Sequence, residues 1–495
     1  MLNRLIKTLS PNYNDLSNKG VFFVLLSIAT LVRFPFYFRD YIDRDESTFI
    51  LMGQSWVDGH LPYTELWDLK PPIVFLFFAG IIYVFGKSFL AIRFFGTLLV
   101  ASSAFFTYRI GEAMCSKKVA LWAAMAAVAL QSMFGSIQGV MSEHLCMAFL
   151  MPGLYLLIRP GKWWRYLGAG LLMGLAIMTK LNIAYAVLFI GIYLLFYFFR
   201  RKEYTTGIAN VAFYGLGILL VIASTWLPYY LEGKPGVWWK SVVLASMEYA
   251  GSRRSSMLNL APTFLVLTAF FLFTWRKKYL NFKDVKIQIV SVAIFGVLFS
   301  FAKAGRINSH YLIQLHPLLI ILVAIFISRL QFPKKWIHQP FLALLLLLVP
   351  AESYLEYYRI IKYKIERGTF YNGEGITVPA YLAKNYPSEK NVLFLGYHIG
   401  YWPLGAVPPT MAATHPSNIC RNELFPYFDN PRKTAIEELA YIMGSVRPKI
   451  VVTRKNRLVF DEKLKAENRY IDTYLKKHYK LVSTVDLANI YQRLE

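Results

Sequence analysis

The sequence predicts an α-helical polytopic membrane protein with a small α/β domain at its C-terminus. Of its 495 residues, 56% are hydrophobic and only 17% are charged, whereas soluble domains contain about 25% charged residues. Apolar runs close to the roughly 20 residues that cross a bilayer recur along most of the chain. Beyond about residue 358, polar helical stretches alternate with short strand-like runs instead.

The first apolar run follows Arg4, Lys7 and Lys19 and lacks the small-residue cleavage site of a signal peptide. We therefore interpret it as a retained signal-anchor helix. The apolar runs lie at residues 20–38, 73–85, 91–111, 119–138, 143–159, 165–180, 183–199, 208–231, 258–275, 286–303, 310–329 and 338–355.

The run 73–85 decides the topology, because a helix of its length reaches only roughly 20 Å, which is short for a span. If it stays outside and the N-terminus is cytoplasmic, dense basic clusters fall in the cytoplasmic loops, as the positive-inside rule expects. These clusters are Lys117-Lys118, Arg159 to Arg165, Arg200 to Lys202, Arg276 to Lys278, and Arg329 to Lys335. We therefore predict about 11 spans, with 71–86 as a surface helix that begins at Pro71 and Pro72.

Two domains are predicted: a transmembrane domain at 1–358, whose first outer loop is 39–90, and an extracytoplasmic α/β domain at 359–495. In the second domain, a helix is expected to begin after Asn430, with Pro431 in its first turn. The strand-like runs are Asn391–Gly396, Lys449–Thr453 and a hairpin of Tyr479–Asp486 with Ala488–Arg493.

The net charge of +25 comes from 54 Lys and Arg against 29 Asp and Glu. Most basic residues lie in short loops between apolar runs, which favours positive-inside topology and contact with anionic membrane lipids. No basic groove-reading motif is present, so a nucleic-acid partner is not expected. The three cysteines, Cys115, Cys146 and Cys420, form no disulfide framework.

Asp45 and Glu46, in the first outer loop, are the first candidates for chemistry. Adjacent carboxylates at a membrane surface can deprotonate a hydroxyl, ligate a divalent metal, or do both. Alternatively, Asp45 caps a helix that Glu46 and Ser47 open. The spacing does not decide between these interpretations, and one residue can serve as cap and as base.

Other charged or polar residues are predicted to lie at the outer face. Lys70 is suited to bind a lipid phosphate, or else it snorkels beside Trp67 as an ordinary interfacial lysine. Glu143-His144 opens a span, either as a functional acid or as a solvated helix start. Further candidates are His60, Asp68, Lys180, Arg253, Arg254, Arg306, His310 and Tyr311.

The combination of outer acids with outer cations suits group transfer from a polyprenyl phosphate. A carboxylate deprotonates the acceptor hydroxyl, and cations stabilise the departing phosphate. The surface helices of the outer loop would admit the polyprenyl tail from the membrane.

Several motifs in this order resemble the GT-C membrane glycosyltransferases of the protein O-mannosyltransferase type, which include the lipid A aminoarabinose transferase. The resemblance covers residues 20 to about 330. It rests on Asp45-Glu46, Gly59 to Tyr63, Trp67 to Pro72, Arg93, Gly174 to Lys180, and Ala302-Lys303 leading to His310-Tyr311.

The resemblance implies a GT-C-like fold in which Asp45 is the catalytic carboxylate and Lys70, Lys180 and Tyr311 lie near the donor phosphate. Two positions depart from the family. Leu69 stands where the aminoarabinose transferase has an acid that helps to hold a metal, so a divalent metal cofactor stays open. Glu143 stands where an Asp is commoner.

The leading hypothesis is a glycosyltransferase that moves sugar from a polyprenyl-phosphate donor to a lipid, glycan or protein acceptor. Its predicted catalytic residues are Asp45, Glu46 and Glu143, and its predicted phosphate ligands are Lys70, Lys180, Arg306 and Tyr311. The resemblance implies the bacterial inner membrane. The alternatives are a transporter or flippase of lipid-linked glycans, and a non-catalytic protein whose C-terminal domain docks an envelope protein.

Overall fold

The computed structural model describes residues 16–40, 43–133, 135–159, 161–252, 256–305, 308–330 and 350–494. Most of the predicted run 338–355 lies outside these residues. In chain order the α-helices are α1 Asn18–Arg33, α2 Arg44–Val57, α3 Pro72–Phe85, α4 Phe89–Glu112, α5 Lys117–Leu130, α6 Ser142–Leu157, α7 Trp163–Ile177, α8 Ala184–Arg200, α9 Tyr204–Leu231, α10 Pro235–Trp238, α11 Ala245–Ser252, α12 Ala261–Arg276, α13 Val285–Ala304, α14 His316–Arg329, α15 Ala351–Arg367, α16 Glu374–Asn385, α17 Tyr401–Leu404, α18 Ala435–Tyr441 and α19 Lys465–His478.

Within the described residues, five helical stretches are long and apolar enough to cross a membrane: Asn18–Phe38, Phe89–Glu112, Leu181–Arg200, Tyr204–Leu231 and Val285–Ala304. Helices α3, α12 and α14 are apolar but shorter. The helix predicted at 71–86 is confirmed as α3, which follows Pro71 in extended conformation. Its position at the membrane surface and the number of about 11 spans stay predictions.

The chain divides into two compact units. The first contains Met1–Phe34, Phe94–Ser224 and Arg254–Leu355, and the second contains Pro35–Arg93, Thr225–Arg253 and Glu356–Glu495. The domain boundary predicted near residue 358 stays a prediction, and each unit is described by itself.

In the first unit, a core of small and branched side chains joins α1, α4 and α5. Val21, Leu25 and Ala29 recur every fourth residue along α1, which places them on one helical face. They are buried in one cluster with Val100, Ala101, Ala104, Tyr108, Ala120, Leu121, Ala124, Ala127 and Val128. Small residues at these positions let the helices approach closely, as is typical of membrane helix packing.

Helices α7 and α9 meet at glycines, also within the first unit. A Cβ added at Gly170 would lie 2.0 Å from the Tyr214 carbonyl oxygen, and one at Gly217 would lie 2.5 Å from the Leu167 oxygen. Because either distance is far below van der Waals contact, a larger residue at either position would push the helices apart. This contact therefore requires glycine.

In the second unit, α2 packs against α3, and a Cβ added at Gly53 would lie 2.8 Å from Phe78 Cβ. The same unit holds a four-stranded sheet of β1 Val392–Phe394, β2 Ile450–Arg454, β3 Tyr479–Val485 and β4 Ala488–Arg493. The strand order is β1-β2-β4-β3, with β1 parallel to β2 and the other pairs antiparallel. The predicted strands and the predicted hairpin are thus confirmed.

The helix expected to begin after Asn430 was placed too early. The Asn430 side chain accepts a hydrogen bond from the Arg432 N–H at 2.9 Å, which holds Pro431 in a turn instead. Helix α18 begins at Ala435, where the Thr434 side chain accepts from the Glu437 N–H. The threonine cap, and not the proline, therefore starts this helix.

Candidate active site

Asp45 lies in the first turn of α2. The cap of this helix is Asp43, whose Oδ1 accepts a hydrogen bond from the Asp45 N–H at 2.8 Å. The capping role that the sequence left open for Asp45 thus belongs to Asp43, and the Asp45 carboxylate is available for other contacts. Its negative charge is stabilised at the positive end of the helix dipole.

Lys70 is the main partner of Asp45. Its Nζ lies 2.9 Å from Asp45 Oδ2 and 5.5 Å from the centroid of the Phe49 ring. The two charged side chains keep 21% and 25% of their surface exposed, so small molecules can reach both. The Tyr63 hydroxyl donates to the Lys70 carbonyl and Ser246 Oγ donates to the Leu69 carbonyl, which fixes the backbone beneath the lysine.

His415, from the C-terminal part of the chain, lies on the other side of the same carboxylate. Its Nε2 is 3.6 Å from Asp45 Oδ1, and its side chain is only 6% exposed. The Ser417 N–H donates to its Nδ1 at 3.1 Å.

A second buried histidine, His398, lies beside His415, with 5.8 Å between the ring centroids. Its Nε2 is 3.0 Å from Thr48 Oγ1 in α2. Burial, followed by the charges of His415 and Arg44, holds the pKa of His398 well below its ordinary value of 6.5. The ring is therefore neutral at physiological pH.

Glu46 pairs with a buried arginine. Its Oε2 lies 2.6 Å from Arg93 Nη2, and both side chains are 1% exposed. The Arg93 Nη1 also donates to the Phe36 carbonyl at 2.7 Å. Such burial favours a structural role at the start of α2, while the catalytic role predicted for Glu46 stays a prediction.

The remaining candidates of the outer loop lie in different surroundings. His60 Nε2 is 3.3 Å from Glu65 Oε2, and both side chains are exposed. The Asp68 side chain is buried. Burial, then Tyr229, and then the charge of Asp68 raise the pKa of Tyr63.

In the first unit, Glu143 and Lys180 form a buried ion pair. Glu143 opens α6 and is fully buried, and Lys180 Nζ donates to its Oε1. Ser142 Oγ donates to its Oε2 at 3.0 Å. Glu143 therefore supplies an anionic partner for Lys180 within the protein.

His310 and Tyr311 complete this cluster. His310 Nε2 lies 3.8 Å from Glu143 Oε1, and Lys180 Nζ lies 4.4 Å from the centroid of the Tyr311 ring. The Tyr311 ring stacks on Phe301. The lysine therefore contacts the ring face of the tyrosine, which is the geometry of a cation–π interaction.

His144 forms two hydrogen bonds with backbone groups. Its Nδ1 accepts from the Met141 N–H at 3.1 Å, and its Nε2 lies 2.8 Å from the Gln131 carbonyl oxygen. This geometry favours a structural histidine at the start of α6. Arg253 and Arg254, the predicted further substrate contacts, and Arg306, a predicted phosphate ligand, lie outside the described residues.

The described residues around Asp45 do not form a metal site. Leu69 offers no ligand, and the Asp45 oxygens face the Lys70 ammonium and His415. Among the described residues, no group of three or more His, Cys, Asp and Glu side chains is arranged to hold a metal ion.

Sequence reasoning missed His415 and His398. Both lie far along the chain from Asp45: His398 begins a short 3₁₀-helix, and His415 caps another. Arg93 was part of the family resemblance, but nothing in the sequence paired it with Glu46.

Comparisons with known proteins place this geometry in context. Residues 69–229 match the family described as dolichyl-phosphate-mannose-protein mannosyltransferase. No curated protein matches the chain by sequence. The crystal structure of ArnT from Cupriavidus metallidurans bound to undecaprenyl phosphate matches with a TM-score of 0.63 and 11% identity, over 95% of this chain and 97% of that one.

The apo state of ArnT from the same organism matches with a TM-score of 0.60 and 11% identity, over 96% of this chain and 98% of that one. At this identity the likeness shows the fold. With the family match over residues 69–229, it confirms the predicted resemblance to the GT-C membrane glycosyltransferases and supports an integral membrane protein.

Proposed function

We propose that this protein transfers a sugar from a polyprenyl-phosphate donor to a hydroxyl or phosphate group of a lipid, glycan or protein acceptor. The reaction takes place at the extracytoplasmic membrane face, to which the loop 39–90 and residues 359–495 are assigned. The donor class is supported by the polyprenyl-type phosphates named for the matched family and for the bound ArnT structure.

The observation that carries the proposal is the partly exposed pair of Asp45 and Lys70. For a hydroxyl acceptor, Asp45 takes the proton, and the acceptor oxygen attacks the anomeric carbon of the sugar. The bond from that carbon to the phosphate oxygen breaks, and the polyprenyl phosphate leaves with the electron pair. The Lys70 ammonium stabilises the negative charge that develops on the leaving phosphate.

In the first unit, the buried cluster of Glu143, Lys180, His310 and Tyr311 supplies a second cation. We propose that Lys180 and Tyr311 contact the donor phosphate, as the family resemblance implies. Because Glu143 already neutralises Lys180, a phosphate must compete with this carboxylate or share the ammonium with it. In this proposal, Glu143 controls whether the Lys180 ammonium is available to the phosphate. It also stays the candidate acid predicted from the sequence.

Mass spectrometry of cell-envelope glycans tests this function. A strain that lacks the protein should lose one glycan modification, which the wild-type gene restores. Asp45→Asn should fail to restore it, whereas Asp58→Asn, at an exposed acid of the same loop, should succeed. Full restoration by Asp45→Asn would contradict the role assigned to this carboxylate.

A further inference from the structure

His415 approaches Asp45 Oδ1, whereas Lys70 pairs with Asp45 Oδ2. We propose that His415 is a positioning residue that holds the Asp45 carboxylate in its reactive orientation, so that residues from the C-terminal part of the chain complete the catalytic site. The inference rests on the proposed function, in which Asp45 activates the acceptor.

The hydrogen bonds of His415 determine its tautomer. The Ser417 N–H donates to Nδ1, so this nitrogen must carry a lone pair. A neutral ring then carries its proton on Nε2, the atom that lies 3.6 Å from Asp45 Oδ1. His415 therefore presents an N–H group to the carboxylate.

Two bonds on either side of His415 tie its segment to the loop that carries Asp45. The Trp67 N–H donates to Thr414 Oγ1 at 3.3 Å, and Arg44 Nη1 donates to Ser417 Oγ at 3.2 Å. Because Arg44 directly precedes Asp45, the segment is anchored next to the residue that it would orient.

The neighbouring His398 limits how the His415 ring can move. Thr48 Oγ1 donates to the Arg44 carbonyl at 3.0 Å, so its lone pairs accept from the Nε2–H of His398. His398 is thereby fixed, and its ring flanks that of His415. When a donor phosphate draws Lys70 away, His415 still restrains the carboxylate.

A pair of variants isolates the contact of His415 with Asp45. His415→Gln and His415→Phe both remove the imidazole Nδ1 that accepts from the Ser417 N–H, but only Gln keeps an amide that can donate to Asp45. The assay uses the purified full chain and the undecaprenyl-phosphate form of the sugar lost by the deletion strain, and it measures released undecaprenyl phosphate. The thermal unfolding midpoint of each variant reports the structural cost.

His415→Gln should keep kcat within about threefold of wild type, and His415→Phe should lower kcat about 10- to 100-fold, with the donor KM unchanged in both. Equal kcat values in the two variants, or an effect on donor KM alone, would overturn the inference. If the Phe variant does not accumulate in membranes, His415→Leu gives the same comparison.

Asp45→Asn in the same assay distinguishes a failure of the proposed function from a failure of the positioning role of His415. An active Asp45→Asn protein would refute the proposed function. An inactive Asp45→Asn protein together with equal Gln and Phe variants would refute only the role of His415.

Discussion

Lys70 Nζ lies 2.9 Å from Asp45 Oδ2, so the proposed phosphate ligand and the proposed base are paired before a donor arrives. A partly exposed pair of this kind is worth about 1 kcal/mol or less. A donor phosphate can therefore take over the lysine at little cost. Donor binding would then release the Asp45 carboxylate from Lys70, so that it can accept the proton of the acceptor. Donor binding would therefore precede activation of the acceptor.

This coupling predicts that Asp45 and Lys70 act as one unit. Asp45→Asn and Lys70→Met should each lower kcat/KM by about 10²- to 10⁴-fold, because each removes one half of the proton-transfer and phosphate-binding pair. The double variant should be no worse than the poorer single variant, since residues that act together are non-additive. The kcat/KM values of the wild type, the two single variants and the double variant, measured with the same donor, test this prediction. Losses that multiply in the double variant would mean that the residues act separately.

The buried Glu46–Arg93 pair predicts a loss of stability in single variants. Glu46→Gln or Arg93→Met leaves an uncompensated buried group and should lower the free energy of unfolding by about 3–5 kcal/mol. The double variant Glu46→Leu/Arg93→Met should recover most of the lost free energy of unfolding, because apolar side chains can replace a buried ion pair. Unfolding midpoints in detergent, with Asp58→Asn as control, measure both effects. A fully stable but inactive Glu46→Gln protein would instead support a catalytic Glu46.

Tyr311 is predicted to act through its ring and not through its hydroxyl. Lys180 Nζ lies 4.4 Å from the ring centroid, so Tyr311→Phe should retain the lysine geometry and donor KM. Tyr311→Leu removes the cation–π contact, worth about 0.5–2 kcal/mol, and should raise donor KM up to about 30-fold. Donor titrations of the two variants distinguish these roles. A raised donor KM in Tyr311→Phe would show that the hydroxyl itself contacts the donor.

His398 predicts a dependence of stability on pH. Burial, His415 and Arg44 hold its pKa well below 6.5, so the folded protein keeps it neutral, whereas the unfolded chain binds a proton near that pH. The free energy of unfolding should therefore fall as the pH drops below about 6.5, by up to about 1.4 kcal/mol per pH unit from this group.

His398→Gln keeps a donor for Thr48 but does not titrate, so its unfolding midpoint should change less between about pH 7.5 and about pH 5.5. The difference between the wild-type and variant slopes isolates His398 from other titrating groups. Identical slopes would mean that the histidine is protonated without cost in the folded protein.

Local patterns predicted much of the fold. Short apolar runs bounded by polar residues located all four strands, and Pro71-Pro72 located the start of α3. The start of α18 was misplaced because a proline suits both a first helical turn and the turn that Asn430 forms. Local signals of this kind can compete, and the structure decides between them.

The candidate site was predicted in part, because its residues come from distant parts of the chain. Asp45 and Lys70 were singled out separately, but their 2.9 Å contact was not predicted. His415 gave no signal, since a lone histidine in an irregular segment has no period to detect. Pairings such as Glu46 with Arg93 depend on tertiary packing, which sequence spacing does not contain.

The central claim is that Asp45 accepts the acceptor proton while Lys70 holds the departing phosphate. Single-turnover release of undecaprenyl phosphate from the sugar donor, by purified wild-type and Asp45→Asn proteins in the presence of acceptor, tests it most directly. We expect Asp45→Asn to bind the donor but to release undecaprenyl phosphate at least about 100-fold more slowly than the wild type. Release at the wild-type rate would contradict it.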